Sequence, residues 1–228
     1  MLKIKEIFNN VYEIDLGDGI KRIGTKSLVP SKRVYGEKLI EIDGIEYRIW
    51  NPNKSKLSAA IINGLKNMPI KRGSKVLYLG SSAGTTPSHV ADITENSPIY
   101  SVEFAPRIMR EFLEVCRDRK NLIPILGDAN MPNTYSNIVE TVDVIFEDVA
   151  QPNQGEILVK NAEWFLKKNG YGMISIKARS IDVVRDPKEI FKEQKEILIK
   201  GGFEIVDEVN IEPFEKDHIL FVGIWKGE

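Results

Sequence analysis

Alternation of apolar and polar positions marks the first fifty residues. The stretches VYEIDL, IKRIGTKSL and KLIEIDGIEYRIW read as strands, and Gly17-Asp18-Gly19 and Asp43-Gly44 fall where the chain must reverse. The pattern predicts two hairpins and a small antiparallel β domain over residues 1–50. Trp50-Asn51-Pro52-Asn53 breaks it, and Lys54 to Lys66 takes up the spacing of an amphipathic helix. A second domain, 51–228, follows with a different rhythm. Short apolar runs at 76–79, 99–103, 122–126, 142–148 and 171–178 alternate with helical patterns at 87–95, 106–119, 135–140, 153–168 and 188–200. Such runs belong to parallel strands covered on both faces. The last two strands, 203–210 and 219–225, are joined by too short a link for a parallel crossover, so the final strand must run antiparallel. The expectation is therefore an α/β protein, a Rossmann-like sheet of the class I methyltransferase type with an antiparallel last strand, preceded by the small β domain.

The second domain is organised around KVLYLGSSAGTT, Lys75 to Thr86, a strand that runs into a turn marked by Gly80, Ala83 and Gly84 and then into a helix. A helix N-terminus with free amides beside small residues is a place for a nucleotide-like ligand, although a turn of this kind also serves geometry alone. The middle glycine of the dinucleotide fingerprint is missing. This disfavours a pyrophosphate cofactor and favours an adenosine without one, which S-adenosyl-L-methionine fits.

Composition narrows the class. With 228 residues and 42% hydrophobic content the chain holds a sizeable core. No apolar run reaches membrane-spanning length and MLKIKEIFNN lacks signal-peptide features, so no membrane partner and a cytoplasmic location are expected. The single cysteine, Cys116, excludes an intrachain disulfide and a cysteine-based zinc cluster, and no metal site is expected. Net charge is −1, yet residues 1–75 hold 15 Lys+Arg against 8 Asp+Glu and the remainder 17 against 25. This bipolar distribution reads either as a lysine-rich solvated surface or as separate faces for RNA and protein.

Ligands of open parallel sheets bind at the carboxyl ends of the strands. Glu103, about 20 residues past the glycine turn, stands where a carboxylate takes ribose hydroxyls. Asp128 follows the third strand and is placed to accept from an adenine amino group, and Asp148 closes the fourth. Any one of them could cap a helix or stay solvated; three in register favour a site. Lys177 ends the fifth strand inside an apolar run, which is a burial candidate or a snorkelling edge lysine. His218 opens the antiparallel last strand and so reaches the same edge, where Lys56 can join. His89, Trp164, Phe165 and Cys116 read as packing residues.

GSSAGTTPSHVAD, SVEFAPR, GDAN, FEDVAQPNQ, ISIKARSID, EPFEKDHILFVG and YRIWNPNKSKLSAAI together resemble fibrillarin in its archaeal form, from about Tyr12 to the C-terminus. The resemblance implies the catalytic subunit of a box C/D ribonucleoprotein. That enzyme is an S-adenosyl-L-methionine-dependent 2′-O-methyltransferase acting on ribosomal and transfer RNA. Its implied partners are a Nop-type scaffold protein, a kink-turn-binding ribosomal protein, and a guide RNA that selects the target. It places cofactor contacts at Thr85, Thr86, Glu103, Phe104, Asp128, Ala129, Asp148, Val149, Ala150 and Gln151, and a catalytic set at Lys56, Asp148, Lys177 and His218. Phe104 stands where many relatives have tyrosine, a change that keeps a stacking surface. On this basis Lys177, its pKa lowered by burial and by Lys56, is expected to accept or steer the hydroxyl proton. Asp148 would hold it, and His218 would orient the hydroxyl or relay the proton. The helix region 108–114 is the expected scaffold-docking face. Two other functions remain open, methylation of protein and a non-enzymatic assembly role, and a nicotinamide-dependent dehydrogenase is disfavoured.

Overall fold

A computed structural model describes residues 3–227; the outer limits of the two expected domains, 1 and 228, lie outside the described residues. The amino-terminal alternation folds into five antiparallel strands, β1 (Lys3–Phe8), β2 (Val11–Asp15), β3 (Lys21–Lys26), β4 (Leu39–Ile42) and β5 (Ile45–Trp50), in the spatial order β1-β2-β3-β5-β4. Asp43 and Gly44 both take positive φ, 50° and 76°, the conformation that a two-residue hairpin turn matching the strand twist requires. One face of this sheet sends Val11, Ile23 and Trp50 into the main core, whereas Ile14, Ile42 and Tyr47 make a small cluster of their own.

The helix expected from Lys54 begins at α1 (Lys56–Ile62), capped by the Ser55 hydroxyl. The second sheet contains β6 (Val76–Leu79), β7 (Ile99–Glu103), β8 (Leu122–Leu126), β9 (Val142–Glu147), β10 (Leu166–Lys177), β11 (Phe203–Asn210) and β12 (His218–Trp225). Its order is β11-β12-β10-β9-β6-β7-β8, and β12 runs antiparallel to both neighbours, as the short link demands. Helices α2 (Thr85–Thr94), α3 (Pro106–Asp118), α4 (Gln154–Phe165), a single turn α5 (Ala178–Ile181) and α6 (Pro187–Lys200) complete it. Met109, Phe112 and Val90 pack with α1 on one face of the sheet, and Ile157, Leu158, Phe165 and Leu198 pack on the other. The central strands β6, β7 and β9 are thereby covered on both sides.

Three local expectations change. The helix expected at 135–140 is a 3₁₀ turn at Pro132–Tyr135, because Tyr135 is drawn into the core, where its hydroxyl donates to Asn161 at 2.6 Å and its ring stacks on Phe165. The helix expected to reach Lys168 stops at Phe165: Leu166 pairs with Val142, and Asn169 takes a positive φ of 60°. Helix α2 starts two residues before the expected Pro87, since Gly84 at φ 93° serves as its cap and admits Thr85 and Thr86 to the first turn.

Strand order has one consequence for function. The chain leaves β6 toward β7 and β8 on one side and returns to place β9 on the other, so a crevice opens at the carboxyl ends of β6 and β9.

Candidate functional site

Gly80 follows β6 and Asp148 follows β9, and the two segments touch: the Asp148 amide donates to the Leu79 carbonyl at 2.9 Å. Gly80 sits at φ 84°, and a Cβ there would lie 2.5 Å from the Asp148 carbonyl oxygen, so no other residue fits this corner. Two cavities adjoin at it and share Gly80, Ser82, Asp148, Val149 and Ala150.

The first, about 230 Å³, is walled also by Glu103, Phe104, Gly127, Asp128, Ala129 and Gln151. Both Glu103 oxygens accept backbone amides, from Ser82 at 2.9 Å and from Ala105 at 3.0 Å, which aims the carboxylate and leaves acceptor capacity on each oxygen. Asp128 Oδ1 accepts the Asn130 amide at 2.9 Å, and Asn130 is tied to Asn153 at 2.7 Å. Phe104 is 67% exposed, an aromatic residue left open at the mouth. Two carboxylates flanking a ring suit a ribose and a flat base.

The second cavity, about 300 Å³, is lined by Lys54, Lys56, Tyr78, Ser81, Thr85, Thr86 and Lys177. Ser81 is buried and its hydroxyl has no partner, an orphan group that a ligand in the cavity would satisfy. Lys56 Nζ pairs with Asp148 Oδ1 at 2.5 Å. Beneath the cavity, burial pushes the Tyr78 hydroxyl well above its ordinary pKa, and the ring stacks on Phe146.

Eleven of the thirteen expected cofactor residues line one or both cavities, and Lys56 and Lys177 line the second. Ala83 and Gly84 line neither. Gly84 acts behind the wall, where a Cβ would meet the Phe112 ring at 2.8 Å. His218 also lies off the cavity walls, buried opposite Lys177 in the β10–β12 ladder. Its Nδ1 meets the Lys216 carbonyl at 2.7 Å and therefore carries the proton, leaving the lone pair on Nε2. Desolvation lowers its pKa, and the Lys56 charge adds to this.

Two expectations about Lys177 fail on geometry. Its side chain is exposed, because β10 ends at this residue and the apolar run packs behind it rather than around it. Asp148 is paired with Lys56, not with Lys177. Gln154, which the sequence showed only as the start of a helix, instead clamps the Lys177 backbone: it accepts the Lys177 amide at 2.9 Å and donates to its carbonyl at 3.3 Å. A larger cavity, about 600 Å³, lies at the amino edge of the sheet. None of the strand-end acids reaches it, and its own carboxylate, Asp143, is engaged by Lys167 and the Lys75 amide.

A family model described as Fibrillarin matches residues 2–227, nearly the whole chain. The chain belongs to the fibrillarin family. A fibrillarin-like rRNA/tRNA 2′-O-methyltransferase from Methanococcus aeolicus is 81% identical over 225 residues, 98% of this chain and 97% of the relative. The crystal structure of Aeropyrum pernix fibrillarin with natively bound S-adenosyl-L-methionine superposes with a TM-score of 0.88 at 48% identity, covering 98% of this chain and all of that one. A fibrillarin/Nop5p complex gives 0.87 at 43% identity, with the same coverage of both chains. In this chain Glu103, Asp128 and Asp148 at the strand ends, with Lys56 and Lys177, line the two-chambered cleft.

Proposed function

We propose that this chain transfers a methyl group from S-adenosyl-L-methionine to the 2′-hydroxyl of ribose in ribosomal and transfer RNA. The observation that carries the reading is the pair of adjoining cavities hinged on Gly80 and Asp148, one edged by Glu103 and Phe104 and the other by Lys56, Lys177 and the α2 N-terminus. When bound, the cofactor supplies a methyl group made electrophilic by a sulfonium. Glu103 would accept from the ribose hydroxyls, Asp128 from the adenine amino group, and Phe104 would stack. Ser81, Thr85 and Thr86 supply hydroxyls to the polar end.

The chain's part in the chemistry is to position the RNA hydroxyl and dispose of its proton. Asp148, fixed by Lys56, faces the shared edge of the cavities and is placed to align that hydroxyl. Lys177 stands exposed at the mouth, where its amine is placed to accept or steer the hydroxyl proton of docked RNA. Neutral His218, with its lone pair on Nε2, is available behind Lys177 as a proton relay.

Net charge of −1 gives the free chain little affinity for phosphates. Target choice is accordingly assigned to a box C/D guide RNA, with a Nop-type scaffold and a kink-turn-binding protein holding the assembly. The Nop5p complex of a relative supports the scaffold. The test is transfer of labelled methyl to a target RNA with and without these components. Incorporation only in the full assembly supports the reading, and label appearing in protein instead of RNA overturns it.

A further inference from the structure

No residue of the amino-terminal sheet lines either cavity, yet two hydrogen-bonded paths run from it to the cavity walls. The first starts at Arg48 of β5, which is fully buried. Its guanidinium donates to Glu37 at 2.8 Å, to Asp92 at 2.7 Å and to the Ser88 hydroxyl at 2.9 Å. Ser88 in turn donates to the Thr85 carbonyl at 2.8 Å, in the first turn of α2. The second path leaves the end of β5, where the Trp50 carbonyl accepts from the Ser58 hydroxyl at 2.9 Å. Ser55, which caps the same helix, accepts from the Thr86 hydroxyl at 2.9 Å and immediately precedes Lys56.

The paths converge on the two wall elements whose mutual placement matters most, the α2 turn carrying Thr85 and Thr86 and the α1 start carrying Lys56. We propose that the amino-terminal sheet is a positioning part of the methyl-transfer site, with Arg48 acting through Ser88 and Ser55 acting through Thr86; this rests on the methyltransferase reading above. Neither serine touches a reacting atom. Their role is to hold the cavity walls, and a displacement of about 1 Å at a reacting centre is enough to cost about a hundredfold in rate. The charged groups around Arg48 stay paired if only the serine hydroxyls are removed, so the fold and the positioning can be perturbed separately.

The test compares Ser88→Ala, Ser55→Ala and Ser55→Thr with the unaltered full chain, and with Ile42→Val in the outer cluster of the same sheet as a control for stability. Titration with S-adenosyl-L-methionine reads the site, and amide hydrogen exchange over residues 80–90 without ligand reads the turn. The alanine variants should bind the cofactor about fivefold to tenfold more weakly and exchange faster at residues 88–90, the first amides of α2 that are hydrogen-bonded. Ser55→Thr should restore binding, and Ile42→Val should leave both readouts unchanged. Alanine variants matching the unaltered chain within about twofold in exchange at 88–90 would overturn the inference. Absence of cofactor binding by the unaltered chain would instead strike the methyltransferase reading, while the exchange comparison still decides this one.

Discussion

Two ion-pair clusters in this molecule are built in opposite ways. Arg48 with Glu37 and Asp92 lies between the two sheets with every side chain fully buried, and the pairs at 2.6 and 2.7 Å are braced by Ser88, Thr25 and the Leu28 amide. Lys56 and Asp148 lie at the carboxyl edge with 23% and 20% of their side chains exposed, and they face a cavity. A buried pair has lost its hydration and holds one geometry, so removing a partner strands the other charge. A pair that keeps part of its solvent contact can be opened by a substrate, and its removal costs the fold less than removal from a fully buried cluster. The first cluster is suited to holding and the second to reacting.

The contrast is broken most sharply at Arg48. Replacing it by Met leaves Glu37 and Asp92 buried without the cation that joins them and should cost about 3–5 kcal/mol, measurable by urea unfolding. A loss under about 1 kcal/mol would mean that the interface does not depend on the pair. At the other cluster the balance reverses: Asp148→Asn and Lys177→Ala should each lower methyl transfer by the assembled ribonucleoprotein about a hundredfold while leaving the melting temperature nearly unchanged. Near-full turnover by Lys177→Ala with unchanged cofactor binding would remove that residue from the mechanism. A smaller effect is expected at Glu103, where Gln keeps the shape and loses the charge. Cofactor affinity should fall about tenfold by calorimetry, with single-turnover rate at saturation close to the parent.

A pH-dependent effect concerns Glu147, which lies next to Asp148 but lines neither cavity, fully buried with both oxygens unpartnered. Burial, and then the Asp148 charge, raise its pKa well above the ordinary 4.5. Below that value folded and unfolded chains are both protonated there. Above it the unfolded chain loses the proton that the folded chain keeps, so Glu147 lowers stability as pH rises toward its folded pKa. Glu147→Gln should remove a slope of up to about 1.4 kcal/mol per pH unit. Buried His89 works in the other direction at acid pH: desolvation and the Arg48 charge hold it neutral, so the unfolded chain binds the extra proton below about 6.5 and stability falls with falling pH. Urea midpoints at pH 5 to 8 separate the two contributions.

Much of the carboxyl edge was legible because its signals are local. A glycine corner after an apolar strand, acids at successive strand ends and a link too short for a crossover are enough to bring Gly80, Glu103, Asp128, Asp148 and Lys177 to one edge. What escaped depends on partners distant in sequence. The run ISIK suggested a buried Lys177, but where a strand ends decides whether its last side chain is covered. The pairing of Asp148 with Lys56 spans 92 positions, and nothing in either flanking motif chooses between the two lysines. His89 looked like a packing residue and is one, stacked on Trp50 at 4.7 Å. Its contacts with the Thr25 and Tyr35 hydroxyls, which tie α2 to β3 and to the segment before β4, have no local signature.

The most direct test of the central claim is to map where the methyl goes. Target RNA treated with labelled S-adenosyl-L-methionine, the full assembly and either the unaltered chain or Asp148→Asn would be hydrolysed in alkali, which spares a linkage only where the 2′-hydroxyl is blocked. The prediction is label in a single alkali-resistant dinucleotide opposite the guide with the unaltered chain and about a hundredfold less with the variant. Label released as ordinary nucleotides, or undiminished in the variant, would contradict a ribose methyltransferase centred on the Gly80–Asp148 cleft.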